Sequence, residues 1–268
     1  MSETIQVLAL DMDETLLGGD GRVSPRTEAA LARWLDAGRR VVIATGRPPR
    51  SIPPALPPLL QAVPRVSYNG AMAHVDGHLV HADLIDCVTA RAIVEQAQAR
   101  LTAYAVALEI GDVIYLDRPL PKAKRYVLAP DLAAAMVQSP AKVLLFPTGD
   151  EATLQAEAHA LAELLAALPD TTLALRSNRF PIIQIMSHTA DKANALTRLL
   201  AGWGQSLDHA AAFGDDINDV EMVRRAGLGV AVANAVPEVL AVADRVTASN
   251  IEDGVALVVE ELLAEGSR

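Results

Sequence analysis

The sequence predicts an α/β protein: a parallel-sheet core split over two chain segments, with an α+β unit inserted between them. Three observations carry the prediction. Short apolar runs alternate with helical stretches at both ends of the chain, the order that parallel strands with crossover helices produce. The middle of the chain changes to hairpin signals. Hydrophobic residues make up 51% of the chain but aromatic ones only 3%, so Ala, Leu and Val fill the core, as suits helices and buried parallel strands.

The run IQVLAL at 5–10 reads as a buried strand. A polar loop with several glycines follows. Ser24 and Pro25 then supply an N-cap and a proline at the first helical position, and the helix runs through Ala29, Leu31 and Leu35 to stop at Gly38. RRVVIATGR at 39–47 is a second strand ending in a Thr-Gly turn, and PRVSYNGA at 64–71 a third ending in Asn-Gly. In the middle, HLVHADLI reads as a strand and 89–101 as a helix. AYAVALEIGDVIYLD is a hairpin turning at Ile-Gly-Asp-Val. KVLLF is a strand, 151–168 one long Ala/Leu helix, and TLALRSNRFPIIQIM two strands around Asn178. From Asp191 the alternation resumes: DKANALTRLLAGWG as helix, HAAAFGDD as strand, NDVEMVRRAG as helix, LGVAVANA and RVTASN as strands, and GVALVVEELLAEG as the closing helix. The expected division is core at 1–80 and 187–268, with the insert at 81–186.

Charge and composition narrow the function. A net charge of −10 offers no basic face to nucleic acid or anionic lipid. An anionic substrate would therefore need local cations or a metal. The single cysteine, Cys87, excludes an internal disulfide and fits a reducing cytoplasm. No uncharged apolar run approaches a membrane span, and the N-terminus lacks a basic region followed by an apolar one. The expected location is the cytoplasm. The six histidines show no metal spacing; His74, His78 and His81 read as surface or hinge positions, and His188 lies near Lys192 in sequence.

Four polar clusters fall at the ends of core elements: Asp11 with Asp13, Thr45-Gly46-Arg47, Lys192 at a helix start, and Asp215 with Asn218 and Asp219. In an open parallel sheet the ligand crevice lies outside the carboxyl ends of the strands, so three of these clusters would converge there, with Lys192 reaching in from its helix start. The chemistry they permit is phosphoryl transfer through an aspartyl phosphate. Asp11 and a phosphate are both anions, so attack needs cations. A divalent ion held by Asp11, a group at Asp13 and Asp215 would bring them together, and all-oxygen ligands favour Mg2+. The Thr45 hydroxyl, neighbouring backbone N–H groups and Lys192 would bind the equatorial oxygens, and Asp13 is placed to protonate the leaving oxygen and then activate water.

DMDETLL, ATGR, the lysine before a helix, and GDDINDVEM resemble the four ordered motifs of the haloacid dehalogenase (HAD) superfamily phosphatases. YNGA at 68–71, GVAVANA at 229–235 and TASNIEDGVA at 247–256 are similar to stretches of the Cof-type subgroup, which carries a large α/β cap between the second and third motifs. The resemblance implies a Rossmann-like core with helices on both faces plus a cap domain. It also implies a Mg2+-dependent phosphatase of small phosphorylated metabolites such as sugar phosphates. In it Asp11 is the nucleophile, Asp13 the acid/base with its backbone carbonyl on the metal, and Asp215 completes the metal site. Thr45, Gly46, Lys192 and Asn218 would hold the phosphoryl group, Asp219 would orient Lys192 or a metal-bound water, and Arg47 and Asn69 are further candidates. Two alternatives stay open: a phosphomutase or phosphotransferase on the same fold, and a non-catalytic phosphometabolite-binding protein. The sequence departs from the family pattern at Glu14, where glycine is usual, and at Asp191-Lys192-Ala193, where Ser-Lys-Gly is common. Specificity would reside in the cap, whose available cations are Arg118, Lys122, Lys124, Arg125, Arg176 and Arg179.

Overall fold

The structure, a computed structural model, describes residues 5–121, 123–176 and 182–265. Contacts divide the chain into two compact units, Met1–Ala82 with Asp191–Arg268, and Asp83–Ala190.

The first core segment contributes β1 (Val7–Leu10), α1 (Pro25–Asp36), β2 (Arg40–Ala44), β3 (Arg65–Ser67), β4 (Met72–Val75) and β5 (His78–Ala82). Ser24 caps α1 by accepting from the Thr27 N–H, and Pro25 sits in its first turn, so the local signals act where expected. The second unit contains α2 (Cys87–Arg100), β6 (Tyr104–Ile110), β7 (Val113–Leu116), β8 (Val127–Leu128), α3 (Leu132–Ala135), β9 (Lys142–Pro147), α4 (Glu151–Ala156), α5 (Ala158–Ala166), β10 (Thr172–Arg176) and β11 (Ile183–Ser187). The chain returns to the core with α6 (Lys192–Ala201), β12 (Ala210–Gly214), α7 (Val220–Arg225), β13 (Leu228–Ala231), α8 (Pro237–Leu240), β14 (Arg245–Val246) and α9 (Gly254–Glu265).

The core sheet has eight strands in the order β14-β13-β12-β1-β2-β3-β4-β5. From β14 to β3 the pairings are parallel. The parallel core carries an antiparallel hairpin at one edge, where β3–β4 and β4–β5 are antiparallel. His74, His78 and His81 lie on this edge hairpin. The physical reason is the short turn at Asp76 and Gly77, both left-handed, because two adjacent strands so closely joined can only run antiparallel. Alternation along the strands builds the two faces. Leu8, Leu10, Val41, Ile43 and Phe213 pack with α1 and α9 on one side. Val7, Ala9, Val42, Ala44 and Ala212 pack with Leu196, Leu199 and Leu200 of α6 on the other. Continuous apolar strands are thus explained by helices on both faces.

The inserted unit is built on a six-stranded sheet, order β10-β11-β9-β6-β7-β8, mostly antiparallel. One face packs its Val106, Leu108, Val143 and Ile185 against α2 and α5. The single helix expected over 151–168 is two, because Glu157 interrupts it with φ −89° and ψ −2°. Its carboxylate accepts from the Thr102 N–H at 2.9 Å and from Ala103 N–H at 3.0 Å. Glu157 therefore serves the loop before β6. The expected turn at Asn178, and the cations Lys122 and Arg179, lie outside the described residues, as does the Arg176 side chain. Among the described residues no helix is long and apolar enough to cross a membrane.

Candidate active site

The site grows from the point where the strand order reverses. β1 lies between β12 and β2, and the three strands end side by side at Asp11, Asp215 and Thr45. The Asp11 N–H still donates to the Phe213 carbonyl at 3.1 Å, so the first acid is fixed by the sheet itself. That is the crevice position expected of an open α/β sheet.

Lys192 is the first residue of α6 and is completely buried. Its Nζ donates to Asp11 Oδ1 and to Asp219 Oδ1, both at 2.5 Å. Burial alone would lower its pKa, but Asp11 and Asp219 outweigh that and hold it above its ordinary value. The ammonium is therefore present at any working pH. Asp191 sets this geometry by capping α6, accepting from the Asn194 N–H at 2.8 Å. Gly70 allows the close approach. A Cβ there would lie 2.1 Å from the Asp191 carbonyl oxygen, and its φ is +106°.

Asp219 is fully buried and uses both oxygens. Oδ1 accepts from Lys192, while Oδ2 accepts from the Asp215 and Asp216 N–H groups at 3.0 and 3.2 Å. It ties the loop after β12 to the lysine. Gly214 is needed beside it, since a Cβ there would lie 2.4 Å from the Asp219 Cβ.

Asp11, Asp215 and Asp219 form a buried cluster whose carboxylate oxygens lie within 4.8 Å of one another. Three carboxylates share this desolvated space with one ammonium. Burial pushes the Asp11 pKa well above the usual carboxylate range, Asp219 raises it further, and Lys192 opposes both. A dication would reverse that imbalance. The donors are all oxygen, with no thiolate or imidazole, and this set fits Mg2+. Thr15 orients Asp215 by donating to its Oδ1 at 2.8 Å.

Asp13 stands apart from this cluster. The chain turns at residues 12–16, with Glu14 left-handed at φ 59°, and the Asp13 carboxylate points to Arg47. The Arg47 Nε donates to Oδ2 at 2.8 Å and its Nη2 to Oδ1 at 2.6 Å. This bidentate pair raises the Arg47 pKa and gives the guanidinium a partner other than substrate. Asp11 and Asp13 thus have separate cations, Lys192 for Asp11 and Arg47 for Asp13.

Thr45 is buried, and its hydroxyl accepts from the Arg47 N–H at 3.2 Å. Asn218 Nδ2 donates to Asn69 Oδ1 at 3.0 Å. The same Asn69 oxygen would lie 2.6 Å from a Cβ at position 46, which accounts for Gly46. All nine expected site residues thus lie at the carboxyl end of the core sheet or on the helix start and loops beside it. Sequence reasoning left Asn69 as a weak candidate and gave no role to Thr15. Thr15 carries no signal beyond its proximity to Asp11 and Asp13.

The family model of haloacid dehalogenase-like hydrolases matches residues 8–259. The chain is 30% identical over 268 residues to 5-amino-6-(5-phospho-D-ribitylamino)uracil phosphatase YitU of Bacillus subtilis, covering 95% of this chain and 96% of the relative. It is 25% identical to pyridoxal phosphate phosphatase YbhA of Escherichia coli, covering 94% and 97%. Among solved structures, a haloacid dehalogenase-like hydrolase from Bacteroides thetaiotaomicron matches with a TM-score of 0.83 at 26% identity, covering 97% and 100%. The chain belongs to the haloacid dehalogenase-like hydrolases, as a Cof-type phosphatase. Its activity is therefore that of a phosphoric monoester hydrolase.

Proposed function

We propose that the protein is a Mg2+-dependent phosphatase of small phosphorylated metabolites, working through an aspartyl phosphate on Asp11. The observation that carries the reading is the Asp11–Lys192–Asp219 chain, buried beside Asp215, with a second acid two residues beyond the nucleophile. The named substrates of the relatives, a phosphoribitylamino-uracil and pyridoxal phosphate, are both small phosphorylated metabolites and support that substrate class.

Asp11, Asp215 and the backbone carbonyl of Asp13 would hold the metal. When bound, the ion offsets the charge of the phosphate and lowers the Asp11 pKa. Every other task falls to the chain. Lys192 neutralises Asp11 and faces the transferring group. The Thr45 hydroxyl and the Gly46 N–H bind equatorial oxygens, where charge spreads in a loose transition state. Asn218, oriented by Asn69, adds a donor. Asp11 Oδ attacks phosphorus as the bond to the leaving oxygen breaks, and Asp13 delivers a proton to that oxygen. Asp13, now a carboxylate, takes a proton from the water that hydrolyses the acyl phosphate. Arg47 orients the Asp13 carboxylate through the bidentate pair.

The test is phosphate release from a panel of phosphorylated sugars, nucleotides and cofactors, with Mg2+ and with EDTA. Asp11→Asn is expected to fold and to lose activity by at least about 10³-fold, on the scale of removing a catalytic nucleophile. A folded variant with full activity would show the nucleophile to be another group.

A further inference from the structure

Two asparagines of the second core segment close on the turn that carries the acids. Asn234 lies just beyond β13, and its Nδ2 donates to the Glu14 carbonyl oxygen at 2.8 Å. Asn250 lies before α9, and its Nδ2 donates to the Leu17 carbonyl oxygen at 2.8 Å. The two are linked, because the Asn250 N–H donates to Asn234 Oδ1 at 3.0 Å. Both belong to motifs, GVAVANA and TASNIEDGVA, that the chemistry above does not use.

We propose that Asn234 and Asn250 are positioning residues: they clamp the turn at 12–17 and so hold Asp13 where it can protonate the leaving oxygen. The inference rests on the phosphatase reading of Asp11 and Asp13. Its physical basis is the strained residue between the clamps. Glu14 is left-handed at φ 59°, a region where a side chain bearing a Cβ is disfavoured. Within the turn, the Leu17 N–H closes on the Met12 carbonyl at 2.8 Å. Fixing the Glu14 carbonyl fixes the torsion that would otherwise carry this residue back to the right-handed region.

The two acids depend on the turn unequally. Asp11 is tied to β12 by its N–H and to Lys192 by its carboxylate. Asp13 lies two residues further on, within the turn itself. Its direction follows from the turn and from Arg47. A released turn therefore costs proton delivery while leaving the nucleophile in place.

That asymmetry gives a readout that a general loss of stability would not produce. Phenyl phosphate and p-nitrophenyl phosphate share a ring, but phenolate is the more basic leaving group and needs protonation, whereas p-nitrophenolate departs without it. For Asn234→Ala, kcat/KM on phenyl phosphate is expected to fall about 10-fold further than on p-nitrophenyl phosphate. That is a fraction of the roughly 10²–10⁴-fold that general acid–base catalysis supplies. Asn234→Asp keeps the acceptor for the Asn250 N–H but removes the donor to Glu14, and it is expected to show the same selective loss. Asn250→Asp tests the second clamp in the same way. Equal losses on both esters, or no loss in folded Asn234→Asp, would overturn the inference and leave the phosphatase reading standing. A wild-type protein that hydrolyses neither ester nor any metabolite of the panel would instead remove the reading, and the clamp with it.

Discussion

At Asp11 the structure sets chemistry against stability. Burial and Asp219 raise its pKa, and Lys192 only partly offsets them. A carboxyl with a raised pKa binds its proton more tightly in the folded state than in the unfolded one. Its contribution to stability is full below the ordinary value of about 3.9 and is lost as pH rises through the raised one. In EDTA, Asp11→Asn is therefore expected to melt above the wild type at pH 7, with the gap closing towards pH 4. Thermal melts across that range check it, and a gap that does not change with pH would contradict it. Glu14 is the other informative residue, because it occupies a left-handed position that glycine adopts more readily. Glu14→Gly is expected to leave stability unchanged or to raise it by up to about 1 kcal/mol, relief of the left-handed strain exceeding the added chain entropy. Denaturant titration reads that difference directly. Neither point was visible before the backbone was known: sequence reasoning identified Glu14 as the odd acid without a reason.

Each site residue is aimed by an element boundary. Strand ends place Asp11, Thr45 and Asp215, and the α6 cap places Lys192. Asp191→Ala removes the acceptor for the Asn194 N–H and is expected to cost about 1 kcal/mol of stability. It should also lower kcat more than the stability change explains, because the next residue is Lys192. A variant with unchanged kcat would show that the lysine is held by its two carboxylates alone. Gly70→Ala would force the Asp191 carbonyl away from a 2.1 Å clash, and loss of both activity and melting temperature is expected. Helix caps, strand runs and the closing helix were legible in the sequence because they depend on neighbours in the chain. The break at Glu157 was not, since its cause is an acceptor role towards Thr102 and Ala103, more than fifty residues away in sequence.

Over the whole molecule, the site is assembled from two segments that the insert separates. The cluster of Asp11, Asp215 and Asp219 has one member from the first segment and two from the second. A cation bound by this cluster would therefore stabilise the core unit as a whole. At Mg2+ concentrations of 100 times Kd the gain is about 2.7 kcal/mol, expected as a rise in melting temperature that EDTA reverses. Asp215→Asn is expected to lose most of that rise. If Mg2+ left the wild-type melting temperature unchanged at millimolar concentration, the cluster would not be a Mg2+ site.

The sequence by itself determined the fold class and placed the acids, the lysine and Thr45 at the ends of core elements. It could do so because apolar periodicity and caps are local, and because the acids and the lysine occupy fixed places after strands and before a helix. Only the tertiary structure decided which charge meets which. It paired Asp11 with Lys192 and Asp13 with Arg47, spent both oxygens of Asp219 on protein donors, and brought Asn234 and Asn250 onto the carbonyls of a turn more than two hundred residues earlier. Those pairings depend on which strands lie side by side, and strand order is a property of the folded sheet rather than of any stretch of the chain.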